Sequence, residues 1–600
     1  MKSGISFFNA GFFRSNLKRF WPLWAAYFGI LYVSLPLVTL LSGGNTESLL
    51  PTLRNYCGAS CTVSNFFIGI LAAMAAFSFM YNSRTVGMIS SLPVRRGAVF
   101  TSAFLSGLLP VLAVNLLIAI LTVLPAIGNN TAVAVQSVLV WFGVWSLQFF
   151  IFYCIATITA MVTGMLVALP VLYAIFNFLI PGIEMLIKWT LQIFSFGYSA
   201  SGTAVTLFAS PAAFIIETCS DIEAPWYNNA GPFIAKPLQY GHWATLAFYA
   251  LAAVVCAVIA LLMFRRREIE RTGDVVAVKR LRPVFKYGVT ACAALGLGLV
   301  FYAIFREFDL QDSGSPVLMS LTMILGAFIG YFASDMLLKK SFHVFRGNWR
   351  GFIAVAVICT AFVICCDADV FGVEGYVPDA DDIEKVVIEG YDVHYEATQD
   401  LDEITDLHRA VIADRDKYER INVDTFGVDR GYEYFEIRYH LKSGRVVSRE
   451  YSLAYDLKTG DPNVTSFRTI VNRVDAVLDR YTPSVEVNEK NIIYAGVRWD
   501  TWGEDNDGIL NSTDLTPEQL CDLYYNAVIP DIKNGGYRTD REFINCEIYI
   551  SFELADGGTL GGSYDSGSYD ALTIHVDPNE PLTVQWIRDN LGWDIYPDVK

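Results

Sequence analysis

Acidic side chains are scarce in the first 366 residues, which contain 12 Asp and Glu but 23 Lys and Arg. From Asp367 onward the balance reverses, with 48 acidic and 21 basic residues. The two parts carry net charges of +11 and −27, a difference that the overall value of −16 conceals. This change excludes a single uniform soluble globule and predicts a membrane part followed by an acidic water-soluble domain.

Sequence motifs for nucleotide hydrolysis and for common hydrolases are also missing. No G-x-x-x-x-G-K-[ST] motif occurs, so the chain is not itself the ATPase of a P-loop system. H-E-x-x-H and G-x-S-x-G are absent, and the six His residues are scattered. We therefore expect no catalytic site, no cofactor and no metal in this chain, and no nucleic acid among its partners.

Apolar runs dominate the first part of a chain that is 53% hydrophobic overall. Nine runs are long enough, at about 17–25 residues with some tilt, to cross the hydrocarbon core of a bilayer. Pro170 and Pro181 leave open whether the fifth of them is continuous, broken or re-entrant. The nine predicted spans are Trp21–Leu41, Val63–Tyr81, Phe100–Ile127, Ser137–Thr163, Met165–Ile187, Trp243–Phe264, Tyr287–Phe305, Pro316–Leu338 and Gly351–Cys366.

The distribution of basic residues predicts the orientation of these spans. A cytoplasmic N-terminus places 19 of the 23 basic residues inside, in residues 2–19, 84–96, 265–286 and 339–350. This bias follows the positive-inside rule, and an odd number of spans then places the C-terminal domain outside the cell. The N-terminal segment lacks an uninterrupted apolar core, so we expect no cleaved signal peptide.

Two features near the N-terminus have more than one interpretation. Residues 4–19 combine Phe with Arg and Lys, which is typical either of a basic flank that anchors the first span or of an amphipathic helix in the interface. Cys57 and Cys61 form a C-x3-C pair that closes a small disulfide only if its compartment is oxidising.

Ionisable residues are rare within the predicted spans, where only Glu184 and Asp335 are acidic. An ionisable residue at such a position is a functional candidate by default. Asp335 precedes Lys339 and Lys340 by about one helical turn, which favours local pairing over a proton relay. Gly326 and Gly330 form a G-x-x-x-G pattern that fits packing within the chain as well as dimerisation.

The C-terminal domain is predicted to contain two repeated α+β units, at about residues 380–482 and 485–597. Alternating apolar residues predict hairpins at Tyr432–Leu453 and Phe543–Tyr564, the second turning at Ala555–Gly558. Short apolar strands at Val386–Ile388 and Ile492–Tyr494 open the two units. The predicted helices are Leu401–Tyr418, Phe467–Tyr481, Pro517–Ile532 and Leu582–Leu591, with a capping box formed by Thr516 and Gln519.

One acidic stretch of this domain, Gly503–Asp514, partly matches a calcium-binding loop. Its first ligand position is Gly503 rather than an acid, so an acidic solvated turn explains it better than a calcium site does. The domain's negative charge favours either plain solubility or the attraction of cationic ligands.

The segment NSRTVGMISSLPVRRGAVF, from Asn82 to Phe100, is a short amphipathic stretch between two spans. It resembles the loop between the second and third helices of ABC-2 type transporter permeases, where a similar sequence leads into the third helix. The basic stretch Phe264–Gly288 resembles the linker after their six-helix core. The loop in that family docks on the ATP-binding subunit. The resemblance therefore implies a role in coupling to the ATPase for Arg84, Leu92, Pro93, Val94, Arg95 and Arg96. The alternative is that Arg95 and Arg96 only set the orientation of the spans.

The resemblance implies a polytopic α-helical permease of the bacterial plasma membrane with an extracytoplasmic α+β domain. Residues 1–265 match the permease core, 266–366 add a basic linker and three spans, and 367–600 form the outer domain. The implied partners are a separate cytoplasmic ATP-binding cassette subunit, a second permease in a homodimer or heterodimer, and membrane lipids. The expected function is ATP-driven export or handling of a peptide antibiotic or lipid-linked compound; the alternative is a non-transporting receptor whose outer domain binds a ligand.

Overall fold

The computed structural model gives the path of most of the chain. The structure describes residues 8–91, 93–128, 130–200, 204–219, 237–267, 273–275, 278–306, 314–341, 343–345, 349–390, 393–399, 401–421, 430–456, 460–483, 485–501, 511–537, 546–554, 572–576 and 580–593. All structural statements below concern these residues.

Nine helices in the described residues are long and apolar enough to cross a membrane, which confirms the nine predicted spans and a multi-pass membrane protein. The first span, Trp21–Leu41, contains a π-helical turn at Val33–Leu37, where Pro36 interrupts the α-helical hydrogen bonds. The helices of this part are α1 (Ala10–Arg19), α2 (Trp21–Tyr32), α3 (Val38–Leu41), α4 (Thr46–Cys57), α5 (Ala59–Phe77), α6 (Ser83–Ser90), α7 (Arg96–Val123), α8 (Thr131–Val162), α9 (Ala168–Phe194), α10 (Pro211–Cys219), α11 (Trp243–Arg266), α12 (Arg282–Arg306), α13 (Pro316–Lys339) and α14 (Trp349–Asp367).

The fifth span is one continuous helix, α9, in spite of its two prolines. Pro170 is the third residue of the helix, where a backbone N–H has no helical acceptor to lose. Pro181 lies inside the helix and removes one backbone hydrogen bond, a loss that membrane helices tolerate. The broken and re-entrant alternatives are therefore wrong.

The N-terminal segment forms helix α1, which packs onto the bundle. Asn16 is buried and donates from its side chain to the Ala76 carbonyl at 3.1 Å and to the Ser106 hydroxyl at 3.2 Å. These bonds join α1 to α5 and α7. The segment is thus helical, as one alternative proposed, but one of its faces is covered by protein.

The first six spans share one hydrophobic core with polar contacts inside it. The Tyr27 hydroxyl donates to Asn115 Oδ1 at 2.7 Å and accepts from the Trp145 indole nitrogen at 2.9 Å. These bonds join α2, α7 and α8, and they pair the polar atoms of these three side chains within the bundle. Cys57 and Cys61 are both buried with free thiols.

The last three spans form their own packed group, in which α12 and α13 approach closely. A Cβ atom at Gly330 would lie 3.1 Å from the Val289 carbonyl oxygen, and one at Gly326 would overlap the Ala293 carbonyl. Both glycines therefore serve packing within the chain. A separate apolar cluster links this group to the end of α9, through Phe194, Tyr302, Met319 and Val363.

The C-terminal domain contains two antiparallel four-stranded sheets, with strand orders β2-β1-β3-β4 and β6-β5-β7-β8. Helices cover one face of each sheet and bury a separate apolar core. The strands are β1 (Ile383–Gly390), β2 (His394–Ala397), β3 (Arg430–Leu441), β4 (Val446–Asp456), β5 (Ile492–Thr501), β6 (Asn511–Asp514), β7 (Cys546–Leu554) and β8 (Leu572–Val576). The helices are α15 (Leu401–Ala413), α16 (Arg415–Ile421), α17 (Pro462–Val471), α18 (Val474–Tyr481), α19 (Pro517–Leu523), α20 (Ile529–Lys533) and α21 (Pro581–Leu591).

The first predicted hairpin agrees with β3 and β4, and the capping box of Thr516 and Gln519 is present. The second hairpin prediction is wrong in its return strand, because β7 pairs with Leu572–Val576. Its predicted turn, Ala555–Gly558, lies outside the described residues. Strands β2 and β6 were not predicted. The duplication of the domain stays a prediction.

Orientation is testable by labelling single introduced cysteines in intact cells. We expect a membrane-impermeant maleimide to label a cysteine at Glu384, which is exposed in the C-terminal domain, and to leave one at Arg280 unlabelled until the cells are lysed. The parent protein provides the background from its native thiols. Protection at Glu384 in intact cells would contradict an outer C-terminal domain.

Candidate functional site at the basic end of the bundle

The predicted coupling segment lies at the end of the bundle opposite the sheets, which we term the basic end. Helix α6 is capped by Asn82, whose side-chain oxygen accepts from the Arg84 backbone N–H at 3.0 Å. The Thr85 hydroxyl donates to the Phe79 carbonyl at 2.9 Å and fixes the first turn of α6 to the end of the preceding span. The short helix is therefore held by local bonds at its start.

The segment has an anchored face and an exposed face. Ile89 and Val94 pack against the core of the six-helix bundle. Met88 is 63% exposed, and Arg84, Pro93 and Arg95 are exposed too. Leu92 lies outside the described residues. We term the exposed face of residues 84–95 the α6 surface. It is short, apolar and basic, and the residues on its other face pack against the bundle.

Arg96 has a different position from Arg95, although the two are neighbours. Its guanidinium, which is exposed, donates to the backbone carbonyls of Arg265 and Arg267, both at 3.1 Å. These carbonyls belong to the end of α11, where helical acceptors have no helical donor. Arg96 therefore joins the start of α7 to the end of α11, and both arginines are exposed.

A second arginine, Arg267, ties the same region to α8. Its guanidinium donates to the carbonyls of Ala160 at 3.0 Å and Thr163 at 2.8 Å. Burial lowers the pKa of Arg267 below its usual value. Together, Arg96 and Arg267 connect the ends of three spans beside the α6 surface.

The short turn between α8 and α9 is covered by the basic linker. The Gly164 N–H donates to the Asp274 carbonyl at 2.8 Å, and the Gly273 N–H donates to the Gly164 carbonyl at 2.7 Å. This uncharged turn is therefore occupied by the chain's own linker.

Acidic side chains of the basic end connect the linker to the last three spans. The Asp274 carboxylate pairs with Arg282 at 2.9 Å and with Lys340 at 2.7 Å. Asp335 pairs with Lys339 at 2.9 Å, as predicted, and with Lys286 of α12 at 3.2 Å. The intramembrane acid is thus neutralised by local pairing.

Glu184, the other predicted acid, caps a short 3-10 helix at the opposite end of the bundle. Its carboxylate accepts from the backbone N–H groups of Val205 and Thr206, each at 2.7 Å, and from the Thr206 hydroxyl at 2.6 Å. Lys188, one turn further along α9, lies 3.3 Å away. These contacts give Glu184 a structural role.

Sequence reasoning missed a junction between α9 and the first sheet. Directly after α9, Tyr198 forms an antiparallel bridge with Arg449 of the edge strand β4, and the Glu450 N–H donates to the Gly197 carbonyl at 3.0 Å. The Phe196 ring lies 5.3 Å from the Tyr451 ring. Residues 196–199 thus attach the fifth span to the C-terminal domain, and we term them the junction segment.

Arg449 connects this junction to the last span as well. It is 3% exposed and donates to the carbonyls of Val373 at 2.6 Å and Tyr376 at 3.0 Å, in the chain just after α14. Glu374 of the same stretch pairs with Arg415 of α16 at 2.6 Å. The C-terminal domain is therefore held at two membrane helices.

Beneath the junction, His408 is completely buried between two tyrosines. Its ring nitrogens lie 2.9 Å from the Tyr439 hydroxyl and 2.7 Å from the Tyr451 hydroxyl. Burial, with the nearby charges of Arg449 and Arg409, lowers the pKa of His408 from 6.5 to about 3.

This pKa predicts a pH-dependent stability of the first sheet. Below pH 6.5 His408 is protonated in the unfolded chain, whereas in the folded domain it stays neutral down to about pH 3. The free energy of unfolding is therefore highest above pH 6.5 and decreases as the pH falls. Between pH 6.5 and 5 the carboxyl groups of the unfolded chain hardly titrate, and we expect the free energy of unfolding to decrease by about 1.5 kcal/mol. Hydrogen exchange of the β3 and β4 amides in the full-length protein measures it. His408→Gln should abolish most of this loss, and an equal loss in the variant would contradict the prediction.

No group of three or more metal-ligating side chains occurs in the part of the chain that the structure describes. Residues 503–510 of the partial calcium motif lie outside it, and Asn511–Asp514 form strand β6. No protein-family model, curated protein or solved structure matches the chain.

Proposed function

We propose that this chain is the membrane-spanning permease subunit of an ABC-2 type transporter, coupled to a separate cytoplasmic ATP-binding cassette subunit. The observation that supports this proposal best is the α6 surface. A partner that changes conformation has to push on a fixed base. Helix α6 is bonded to the end of the preceding span, and beside it the ends of α7, α8 and α11 are bonded to one another. An exposed platform with such anchoring suits the transfer of motion better than a solvated loop does.

The orientation belongs to the same proposal. The basic end faces the cytoplasm and the sheets lie outside a bacterial plasma membrane, as the distribution of Lys and Arg favours. The subunit functions as a homodimer or heterodimer and exports or handles a peptide antibiotic or a lipid-linked compound. The acidic outer domain attracts cationic ligands toward the membrane.

The two sheets support a further part of the proposal, an internal duplication. Their strand orders correspond, since each has the second strand at one edge, beside the first. In both units a helix with proline at its first position follows the hairpin. We infer that the outer domain consists of two repeated α+β units, about residues 380–482 and 485–597.

The second candidate is a non-transporting receptor whose outer domain binds a ligand. The junction segment favours it, because contacts from β4 reach α9 directly and provide a route for a signal across the membrane. This route serves a regulated transporter equally well.

Native purification distinguishes the two functions. The transporter proposal predicts that the chain copurifies with a stoichiometric ATP-binding cassette ATPase and that the complex hydrolyses ATP. Substituting the P-loop lysine of that partner should abolish hydrolysis without dissociating the complex. A kinase, or no partner, would favour the receptor.

A further inference from the structure

We propose that a groove between α9 and α12 binds an anionic membrane amphiphile, a phospholipid whose phosphate contacts Arg306. The groove encloses about 550 Å³ at the sheet end of the two helices. This inference concerns a lipid site and does not depend on ATP-driven transport. The lining residues are Trp189 and Ile193 of α9 with Leu299, Tyr302, Ala303 and Arg306 of α12.

Helix α12 packs far more extensively on α13 than on α9, and the groove lies on its α9 side. Helices α9 and α12 touch where the Leu186 side chain lies 3.9 Å from the Cβ position of Gly296. From there toward the sheet end, α12 leans on α13, and a Cβ atom at Gly298 would lie 2.9 Å from Met323 Cγ. Packing on α13 thus leaves a gap beside the last turns of α9.

The floor of the groove is fixed. Tyr302 is 3% exposed, and its hydroxyl accepts from the Ser315 backbone N–H at 3.2 Å. Behind it lies the apolar cluster that contains Phe194, Met319 and Val363. A ligand therefore meets a preformed wall.

The positions of the lining residues along the helices match the headgroup and the acyl chain of a phospholipid. Arg306 is the last residue of α12, and Leu299 lies seven residues earlier, about 10 Å deeper along the helix. Trp189, which is 49% exposed, has the amphipathic ring that prefers the membrane interface. The apolar residues can hold an acyl chain while the guanidinium reaches the headgroup.

Among the described residues that line the groove, the charged one is Arg306, and a cation at this position favours an anionic headgroup. A guanidinium binds phosphate through two parallel hydrogen bonds, which a neutral lipid cannot accept. The neighbouring Ile304 and Phe305 are 51% and 45% exposed, so this surface is covered by lipid and not by water. These features favour a membrane amphiphile over a soluble anion.

The test measures binding of dioleoyl phosphatidylglycerol to the delipidated full-length protein by native mass spectrometry. We expect Arg306→Gln to weaken the tightest binding event about tenfold, as loss of a charge-assisted contact implies. Ala303→Trp, which keeps the charge and fills the groove, should weaken it similarly. Arg54→Gln, an arginine substitution on the same side of the membrane and outside the groove, should change it less than twofold.

Two results would overturn the proposal. Unchanged binding in either groove variant would show that the lipid lies elsewhere. Displacement of the lipid by glycerol phosphate at equal concentration would identify a site for soluble phosphate instead. Thermal unfolding confirms that each variant is folded, and Ala303→Leu replaces Ala303→Trp if the larger side chain prevents folding.

Discussion

Replacing Gly197 with valine is expected to detach the C-terminal domain from the fifth membrane span. Gly197 has φ of +70°, and a Cβ atom at this position would overlap the Tyr451 ring. The left-handed backbone and the overlap together cost roughly 3–5 kcal/mol, more than the few contacts of residues 196–199 supply. The junction segment should therefore leave β4, while the membrane bundle remains folded.

Hydrogen exchange at the edge strand measures this detachment, because the Glu450 amide donates to the Gly197 carbonyl. We expect exchange at Glu450 to accelerate at least a hundredfold, with little change in β3. Gly460→Val is the matched control, since Gly460 has φ of +67° but open space around its Cβ position. Protection of Glu450 that survives in Gly197→Val would show that the junction does not hold the domain.

The second large effect is expected from Leu92→Asp, which should abolish assembly with the ATPase or ATP-driven transport. An apolar side chain at the centre of a docking surface contributes far more binding free energy than residues at the rim of that surface. A carboxylate at the same position would lose its water shell on docking without gaining a partner. Membrane insertion should not change, because position 92 falls between two predicted spans in the sequence. Copurification of the ATPase with the variant measures the effect, and Met88→Asp on the exposed face of α6 should act in the same direction.

Charge variants separate docking from orientation. Arg95→Ala should reduce assembly only modestly, because exposed rim charges mainly alter association rates and salt dependence. Arg280→Ala, also in a basic segment but outside the α6 surface, should leave assembly unchanged. Equal losses in the two arginine variants, together with a harmless Leu92→Asp, would mean that these segments only set the orientation of the spans.

The membrane spans were predictable because their cause is local. A run of about 20 apolar residues has few alternatives to a helix across the bilayer. The ends of the observed helices lie within seven residues of the predicted ends. The prolines of α9 misled because the sequence does not reveal that Pro170 occupies the first helical turn.

The contacts that fix the candidate site were not predictable. Arg96 and Arg267 bond to carbonyl groups at the ends of other helices, and no side-chain pattern marks such acceptors. The junction segment depends on one bridge between Tyr198 and Arg449, which are far apart in the chain. A glycine next to aromatic Phe196 was the one sequence signal present, and such a pair is too common to be specific.

In the C-terminal domain, helices were easier to predict than strand partners. Amphipathic periodicity located α15 and α19, and the capping box fixed the start of α19. The short strands β2 and β6 contain four residues each, too few to show alternation. The return strand β8 was misplaced because nothing local distinguishes it from the alternating residues before it.

Photo-crosslinking at two exposed positions tests the central claim most directly. Met88 on the α6 surface and Val284 at the start of α12 are both 63% exposed and lie at the basic end. With the same photoreactive residue at either position in intact cells, the proposed function predicts an ATP-binding cassette ATPase crosslinked from Met88 and not from Val284. Equal crosslinking from both positions, or capture of no ATPase from Met88, would contradict the assignment of the α6 surface as the coupling site.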